Sequence, residues 1–426
     1  MRGGRVRLNI LVLSINYFPE PTGFAPHAAD FCEYLSSRGH KVTVFTGFPF
    51  APYWSRWKEY KGNFILHERI KEVEVVRVTH FIPRRAGHII QRLLMEGSFC
   101  LIVAGIFLTH LRSRPDGIIY VGAQPSIAML ARLMAKWKGL PYLVSINDLA
   151  AQAAGDVGIV KSGLLQEILS AFEFAAYCKA SGAMVLCSSF RDSLLAHGYP
   201  ADRVRIIPSP VDVERIRPVP YDGAFREANG LSGQDFVVLY SGSMGLKQRM
   251  TNVVEAARVL QSSNPGVKWV LVGDGELRPI IERLIDDYAL AGHVYLLPLQ
   301  PESEMSAMFS AADVLLLNQV SKVKDTVIPS KLLTYMAAGR PVLAAVNPSS
   351  QGALLLGESQ GGVIVAPENP AALAAAVKQL QALPTALQEM GRRNREYAEK
   401  HFDRRQIFAA QEAFLAEIVK TASPSN

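Results

Sequence analysis

The sequence has few cysteines, four in 426 residues. They are Cys32, Cys100, Cys178 and Cys187, which lie far apart and form no C-x-x-C pair. This spacing argues against a disulfide framework and against a zinc site, because both use closely spaced or paired cysteines. Buried thiols in a reduced, cytoplasmic protein are the expectation, and no metal site is predicted.

Long apolar runs are also missing. The run LNILVLSI follows three arginines, as in a signal peptide, but NYFPEPTG comes next where a small-residue cleavage site would be needed. We therefore interpret the run as a first strand. The most hydrophobic later segment, residues 99–108, has about half the length that spans a bilayer. No transmembrane helix is expected.

Charge is modest, at 19% of residues, and it is unevenly distributed. Residues 1–208 hold 24 Lys and Arg against 15 Asp and Glu, a net charge of +9, whereas residues 209–426 have a net charge of −2. A basic first half indicates an anionic partner, either membrane headgroups or nucleic acid, unless it is ordinary solvated charge. No nucleic-acid-binding motif accompanies the basic half, so nucleic acid is not expected as a partner.

Short apolar runs alternate with amphipathic segments throughout the chain, which predicts an α/β fold. The pattern occurs twice and predicts two Rossmann-like doubly wound domains, 1–208 and 209–426, joined near 208–218, with the last helix a candidate to pack back on the first domain. Ligands of such sheets bind at the carboxyl ends of the strands, so a cleft between the domains is the expected site. The first strand lacks the G-x-G-x-x-G that a nicotinamide dehydrogenase would carry.

One stretch, FVVLYSGSMGLKQR at 236–249, combines an apolar strand, a turn of small residues and a lysine that enters a helical segment. Free N–H groups at a helix N-terminus bind anions, and the macrodipole favours them. Gly242 and Gly245 permit close backbone approach, and Lys247 offers a charge to a diphosphate. The alternative is a glycine-rich turn where nothing binds.

Four stretches carry a family resemblance over nearly the whole chain. They are PEPTGFAPHAADFCEYLSSRGHKVTVFTG, IIPSPVDVERIRP, LYSGSMGLKQ with LVGDGE, and TVIPSKLLTYMAAGRPVLA. In this order and spacing they resemble the family 4 glycosyltransferases of GT-B architecture. PYWSRWKEYKG, FIPRR and RLLMEGSF are most similar to the colanic-acid-type exopolysaccharide branch, often labelled fucosyltransferases.

The resemblance implies a retaining, metal-independent transfer of a sugar from a GDP- or UDP-linked donor to a saccharide acceptor, without a cofactor. The catalytic residues that it implies are Asn147, Asp148 and Lys247. The implied donor-binding residues are Gly23, Phe24, Gly242, Ser243, Met244, Gly245, Lys247, Arg249, Gly273, Asp274, Gly275, Asp325, Thr326, Ser330, Lys331, Leu332 and Thr334.

The chain departs from the family in the cationic side chains that would bind the phosphates. The family pairs an arginine with the lysine of the turn, and this chain has Ser243 and Met244 there. The second charge is therefore missing, supplied by Arg249, or supplied by Lys331, which follows Pro329 near the start of a predicted helix. A solvated first-turn residue is the alternative for Lys331.

Further departures concern acidic and basic catalysts. Thr326 and Thr334 stand where the family has two glutamates, with Asp325 adjacent to the first. Asn147 stands where many relatives have a histidine and cannot carry a proton at neutral pH. Asp148 either orients a substrate or caps the loop. His27 is interpreted as a first-turn helix residue and not as a catalyst.

The acceptor is expected on the first domain. An aromatic and cationic loop resembles interfacial membrane segments; its residues are Trp54, Arg56, Trp57, Lys58, Tyr60 and Lys61. With Arg84, Arg85, Arg92 and residues 99–108, it suggests docking on an anionic membrane to reach a polyprenyl-diphosphate-linked glycan. The alternative is a core helix beside a polar substrate loop. The expected location is the cytoplasm, peripheral at the inner face of the plasma membrane.

Two other functions remain on the same scaffold. A nucleotide-sugar epimerase would need acidic and histidine catalysts, and Thr326, Thr334 and Asn147 argue against it. A nucleotide-sugar-binding subunit with weak catalysis is compatible with those same residues.

Overall fold

A computed structural model of the chain describes residues 7–21, 24–51, 53–84, 89–109, 114–149, 163–220, 223–322 and 328–422. The chain forms two compact units, which divide between Pro208 and Ser209 and again between Gln406 and Ile407. The residues after Gln406 belong to the first unit. The segment assigned from the sequence to the second domain, 209–426, is therefore too long at its carboxyl end.

The first unit, unit one, contains an eight-stranded sheet. Its strands are β1 (Asn9–Leu13), β2 (Lys41–Gly47), β3 (Ile65–Ile70), β4 (Val73–Val78), β5 (Gly117–Gly122), β6 (Tyr142–Ile146), β7 (Gly182–Val185) and β8 (Val204–Ile206). Its helices are α1 (Ala25–Ser37), α2 (Ile89–Thr109), α3 (Pro125–Lys138), α4 (Gly163–Tyr177) and α5 (Ser188–Ala196). The strand order is β3-β4-β2-β1-β5-β6-β7-β8, and β3 alone runs antiparallel to its neighbour.

Local sequence explains these elements. Every residue of β5, GIIYVG, is buried, as expected for a parallel strand covered on both faces. Helix α3 begins with a proline and ends at Gly139, which has a φ of 63°. Gly39, two residues after the end of α1, has a φ of +94°, and its N–H donates to the Ser36 carbonyl at 2.9 Å, which satisfies one of the last carbonyls of the helix.

The second unit, unit two, contains a six-stranded parallel sheet. Its strands are β9 (Phe236–Ser241), β10 (Val267–Val272), β11 (Val294–Leu297), β12 (Val314–Asn318), β13 (Val342–Ala345) and β14 (Gly362–Val365). Its helices are α6 (Ala224–Ala228), α7 (Thr251–Leu260), α8 (Arg278–Asp287), α9 (Met305–Ser310), α10 (Ser330–Ala337), α11 (Gln351–Ser359), α12 (Pro370–Gln381) and α13 (Pro384–His401).

The order of unit two is β11-β10-β9-β12-β13-β14. Alternate residues of β9 enter two different cores, with Val237 and Leu239 in one and Val238 and Tyr240 in the other. This doubly wound order places the topological switch point between β9 and β12, where ligands of such sheets bind at the carboxyl ends. The prediction of two Rossmann-like sheets is confirmed.

The last described helix of the chain is α14 (Arg404–Ala422), which follows α13. Phe414, Leu415 and Ile418 of α14 share a core with β1. Glu412 of α14 accepts hydrogen bonds from the Tyr34 hydroxyl at 3.0 Å and from Arg38 Nε at 3.2 Å. The helix that packs on unit one is thus α14, whereas α13 stays in unit two.

Helix α2 contains the most hydrophobic segment of the sequence and begins ten residues before it. Residues 99–108 form only its second half, and Ile89–Leu108 is long and apolar enough to cross a membrane by length and composition, with 22% of its most apolar window buried. The expectation of an apolar stretch too short to span a bilayer rested on residues 99–108 alone. The preceding part of the helix contains Ile90, Leu93 and Leu94 beside only two charged residues and lengthens that stretch.

Candidate functional site

The turn after β9 lies at the switch point of unit two. A single 3-10 turn, Leu246–Gln248, follows the strand, and helix α7 begins only at Thr251. The sequence prediction that Lys247 enters the helix directly is therefore wrong. The Gln248 N–H donates to the Gly245 carbonyl at 3.1 Å, and Arg249, with a φ of 36°, interrupts the helical backbone.

The backbone N–H groups of this turn divide into two sets. Those of Gly242 and Met244 donate to Val272 O at 2.9 Å and Asp274 O at 2.8 Å, and the Gly245 N–H donates to Gln248 Oε1. The N–H groups of Ser243, Leu246 and Lys247 have no acceptor among the described residues. The amides left for an anion are thus these three, which do not form a consecutive run.

Lys247 is exposed and forms no ion pair with a described residue. Its carbonyl accepts a hydrogen bond from the Val320 N–H at 2.9 Å, just beyond β12. Asn318, the last residue of β12, donates from Nδ2 to Gln248 O at 2.7 Å. The end of β12 therefore fixes the backbone at Lys247 without engaging its ammonium group, which is available to a ligand.

Helix α10 brings a second lysine to the same turn. The Lys331 ammonium nitrogen lies 3.5 Å from the centroid of the Tyr240 ring, and it has no hydrogen bond or ion pair among the described residues. A Cβ at Gly242 would lie 2.9 Å from Lys331 Nζ, so the glycine makes room for the lysine. Removal from water lowers the pKa of Lys331 to about 7.

Arg249 does not supply the second charge in this structure. Its guanidinium forms an ion pair with Glu368 at 2.5 Å, and Glu368 also accepts the Ser321 N–H at 3.0 Å. The ion pair of Arg249 with Glu368 therefore stabilises the loop after β12. Of the two sequence alternatives, Lys331 is the cation that lies unpaired at the turn.

Gly273, Asp274 and Gly275 follow β10 and shape the same turn. An ideal Cβ at Gly273 would lie 1.9 Å from the Gly242 carbonyl oxygen, and one at Gly275 would lie 2.8 Å from the backbone of Met244. Both glycines have φ near 150°. Glycine is therefore required at both positions because the loops after β9 and β10 pack closely, and this holds whether or not a nucleotide binds nearby.

Two predicted donor-binding side chains are buried in the core. Met244 and Leu332 are each 0% exposed, and the Leu332 N–H donates to Pro329 O at 2.9 Å. Their assignment as donor contacts is not supported, because neither a side chain nor an N–H group remains available. Ser330 is exposed, and the Thr334 hydroxyl donates to Ser330 O at 3.1 Å. Gly23, Asp325 and Thr326 lie outside the described residues.

In unit one, Asn147 follows β6 and is 6% exposed. Its side-chain nitrogen has no hydrogen-bond partner among the described residues, which is uncommon for a buried amide and makes it a candidate donor to a bound sugar. Asp148 Oδ1 accepts the Leu149 N–H at 2.9 Å, as the capping alternative predicted. Phe24 precedes α1, where its carbonyl accepts the Ala28 N–H.

His27 lies in the first turn of α1, where burial lowers its pKa to about 4. Its ring centroid is 6.0 Å from that of Phe408 on α14. This position against an aromatic ring agrees with a role as a helix residue.

The aromatic and cationic loop of unit one is folded onto its own sheet. Arg56 donates to Asn63 O at 2.8 Å and lies 4.4 Å above the Phe48 ring. Arg77 lies 5.2 Å above the Tyr60 ring. Arg56 and Tyr60 are therefore engaged within unit one, whereas Trp54, Lys58 and Lys61 are exposed. Membrane binding by this loop stays a prediction.

The sequence reasoning missed three supporting residues of unit two. They are Tyr240, Tyr335 and Asn318. The Tyr240 ring contacts the Lys331 ammonium group, and the Tyr335 hydroxyl accepts the Ser241 N–H at 2.9 Å. Asn318 had a signal, since a polar residue ends an otherwise apolar buried strand, VLLLN. The tyrosines had none, because aromatic residues in a strand or helix usually only fill a core.

Two family models match the chain. The model described as glycosyl transferases group 1 covers residues 222–401, and the glycosyl transferase 4-like domain covers residues 22–210. A protein named as a colanic acid biosynthesis glycosyl transferase, WcaI of Escherichia coli K12, is 28% identical over 406 residues, 94% of this chain and 98% of that protein. The alpha-monoglucosyldiacylglycerol synthase of Acholeplasma laidlawii is 19% identical over 354 residues, 79% of this chain and 80% of that protein.

Solved structures share the fold. Sucrose-phosphate synthase from Thermosynechococcus elongatus has a TM-score of 0.72 at 20% identity, covering 98% of this chain and all of that one. The Anabaena protein HepE in complex with UDP has a TM-score of 0.71 at 15% identity, covering 96% of this chain and all of that one. At these identities the likeness concerns the fold alone.

Proposed function

Because the chain belongs to the group 1 glycosyl transferases, we propose that it moves a sugar from a GDP- or UDP-linked donor to a saccharide acceptor in exopolysaccharide biosynthesis. The observation that carries the proposal is the turn after β9, where three free N–H groups and two unpaired lysines, Lys247 and Lys331, lie at the switch point of a doubly wound sheet. This arrangement suits a diphosphate.

The chemistry follows from the charge that develops in the reaction. Breaking the bond between the anomeric carbon and the diphosphate leaves negative charge on the phosphate, and N–H groups and ammonium groups stabilise it. The acceptor hydroxyl oxygen forms the new bond to the anomeric carbon, and its proton passes to the departing diphosphate oxygen. Such a retaining transfer needs no protein base, in keeping with Asn147, and no metal, since the two lysines supply positive charge.

We place the acceptor on unit one, and we propose that it is lipid-linked. Asn147 offers to a sugar hydroxyl its side-chain nitrogen, which has no partner in the part of the chain that the structure describes. The names of two relatives support a saccharide or lipid acceptor. One relative is named for colanic acid biosynthesis, and the other is named as a synthase of a glucosyldiacylglycerol. The protein would then work in the cytoplasm at the inner face of the plasma membrane.

A nucleotide-sugar-binding subunit with weak catalysis is the second candidate. It is favoured by Asn147 and Thr334, which offer hydrogen bonds but no charge where relatives carry charged or titratable groups. Both candidates require the same diphosphate site, and they differ in turnover.

The test is a thermal-shift panel of GDP-, UDP- and ADP-sugars, followed by measurement of sugar release and transfer with the donor that binds. One nucleotide class should raise the unfolding temperature, because a ligand that binds only the folded state stabilises it. If no nucleotide sugar does so, the proposal is wrong. Binding without release or transfer would favour the second candidate.

The Lys247→Ala variant sharpens the test. Loss of one charged contact to a diphosphate should weaken donor affinity about tenfold, since such a contact contributes about 1.5 kcal/mol. Lys268→Ala is the matched control, because Lys268 Nζ donates to Gly292 O and lies on β10 away from its carboxyl end. Equal loss in both variants would contradict the assigned site.

A further inference from the structure

Helix α2 presents an apolar side to solvent. The exposed residues Ile90, Leu94, Leu101 and Leu108 are 60%, 52%, 77% and 55% exposed. Their spacing of four, seven and seven residues places them on one side of a helix. Gly97 and Gly105 fall on the same side, so a stripe of five turns contains no charged residue. A surface helix of a soluble domain ordinarily places polar residues there.

The opposite side of α2 is held in the core of unit one. Met95, Phe99 and Val103 are 5%, 0% and 0% exposed. The helix therefore lies along the unit, and a spanning orientation would remove these residues from their core. A membrane can meet α2 only from the side, along the exposed stripe.

Helix α3 extends the exposed stripe. Leu133 and Trp137 are 55% and 56% exposed. The Trp137 ring centroid lies 6.0 Å from that of Phe107 at the end of α2, and Cys100 of α2 contacts Ser126 at the start of α3. The two helices are therefore in contact, and their exposed apolar residues are together called the apolar helical face, defined by Ile90, Leu94, Leu101, Leu108, Leu133 and Trp137.

Cations surround this face. Lys136 is exposed, and Lys138 Nζ lies 5.0 Å from the centroid of the Trp137 ring. Helix α3 carries three cations and no acid. Arg84 and Arg92, both exposed, lie near the start of α2. An apolar patch with a tryptophan and a cationic rim is complementary to the acyl boundary and anionic headgroups of a bilayer.

We propose that the apolar helical face inserts into one leaflet of an anionic membrane, with α2 parallel to the bilayer plane. Within the docking surface predicted from the sequence, this assigns the apolar contact to α2, which contains residues 99–108, and adds α3. The inference rests on the proposed lipid-linked acceptor, since in-plane docking would hold unit one at the surface where such an acceptor lies. Its test does not involve nucleotide sugars, so the two proposals fail separately.

The experiment is co-sedimentation of the full chain with vesicles of phosphatidylcholine, with and without 30% phosphatidylglycerol. The wild-type protein should bind the anionic vesicles, and the double variant Leu94→Glu, Leu101→Glu should partition at least tenfold more weakly. The matched control is Leu354→Glu, Leu383→Glu, at two leucines of unit two that are 50% and 51% exposed. The control should bind like the wild type.

A second variant tests the cations. Lys136→Gln with Lys138→Gln should weaken binding to anionic vesicles about twenty-five-fold at low salt, because each cation contributes about a factor of five near such a surface. Binding to neutral vesicles should not change. The effect should shrink as salt rises.

Three outcomes would overturn the proposal. They are no binding of the wild type to either vesicle, equal loss in the unit-two control, and a face variant that changes the oligomeric state in light scattering while vesicle binding persists. The last would assign the face to a second copy of the chain. Circular dichroism and the thermal unfolding of each variant show that a loss of binding is not a loss of folding.

Discussion

At the scale of single residues, the candidate site depends on two lysines in different surroundings. Lys247 is exposed, whereas Lys331 lies against the Tyr240 ring without a described acceptor. Because the Lys331 pKa is lowered to about 7, this amine is only partly charged at neutral pH. A bound diphosphate would favour the charged form. Donor binding and protonation of Lys331 should therefore be linked.

We predict that nucleotide-sugar affinity falls as pH rises from 6 to 8.5. Below about pH 7 the Lys331 amine is charged, and above it the amine is increasingly neutral and attracts the diphosphate less. The diphosphate diester of a nucleotide sugar keeps its charge over this range. Titration calorimetry at three pH values measures the slope.

The controls are two variants. Lys331→Ala should bind about tenfold more weakly than wild type at pH 6 and should lose most of the slope. Lys247→Ala should keep the slope. An unchanged slope in Lys331→Ala would show that another group titrates.

At the scale of elements, the ends of β9 and β10 are packed so closely that their turns form one structure. The Gly242 carbonyl lies against Gly273, and Gly275 lies against the Met244 backbone. Helix α10 adds Lys331 and Tyr335 to the same turn. A disturbance at one strand end should therefore reach the phosphate site through backbone contacts.

We expect Gly273→Ala to lower the free energy of unfolding by about 3 kcal/mol, because a Cβ 1.9 Å from the Gly242 oxygen forces the turn to move. Urea unfolding followed by circular dichroism measures it. Gly357→Ala in α11 has no atom within 4 Å of its Cβ and should change stability by less than about 1 kcal/mol. Similar losses in both would refute the close-contact argument.

Helix α14 gives a second prediction at this scale. Leu415 is 0% exposed in the core of unit one, although it lies more than 200 residues after β8 in the sequence. Leu415→Ala should cost about 3 kcal/mol through lost burial and a cavity. Hydrogen exchange should show the loss in β1 and β5. Leu354→Ala, at a half-exposed position, should leave exchange in unit one unchanged, and a slow-exchanging β1 in Leu415→Ala would contradict the shared core.

At the scale of the whole molecule, the chain builds two doubly wound sheets with separate cores and returns its last helix to the first unit. Each unit therefore has its own stability. The diphosphate site lies within unit two, and the apolar helical face within unit one. Donor binding and membrane binding should therefore be separable by substitution.

We predict that a bound nucleotide sugar slows hydrogen exchange in unit two, most strongly at residues 241–249 and 330–337, because it stabilises the unit that holds it. Strands β7 and β8 of unit one should exchange as in the free protein. The Leu94→Glu, Leu101→Glu variant should show the same protection as wild type. Protection that spared residues 241–249 would exclude the turn as the diphosphate site.

The sequence by itself determined the two α/β sheets and the place of the turn after β9, because short apolar runs, their spacing and glycines at strand ends are local properties. It also indicated Lys331. Tertiary structure decided that Lys331 lies over Tyr240, that Arg249 is paired with Glu368, and that α14 belongs to unit one. It also exposed one side of α2. These features depend on contacts between residues far apart in the chain. A local sequence pattern does not show which distant side chain occupies the space beside a glycine, where no Cβ is present.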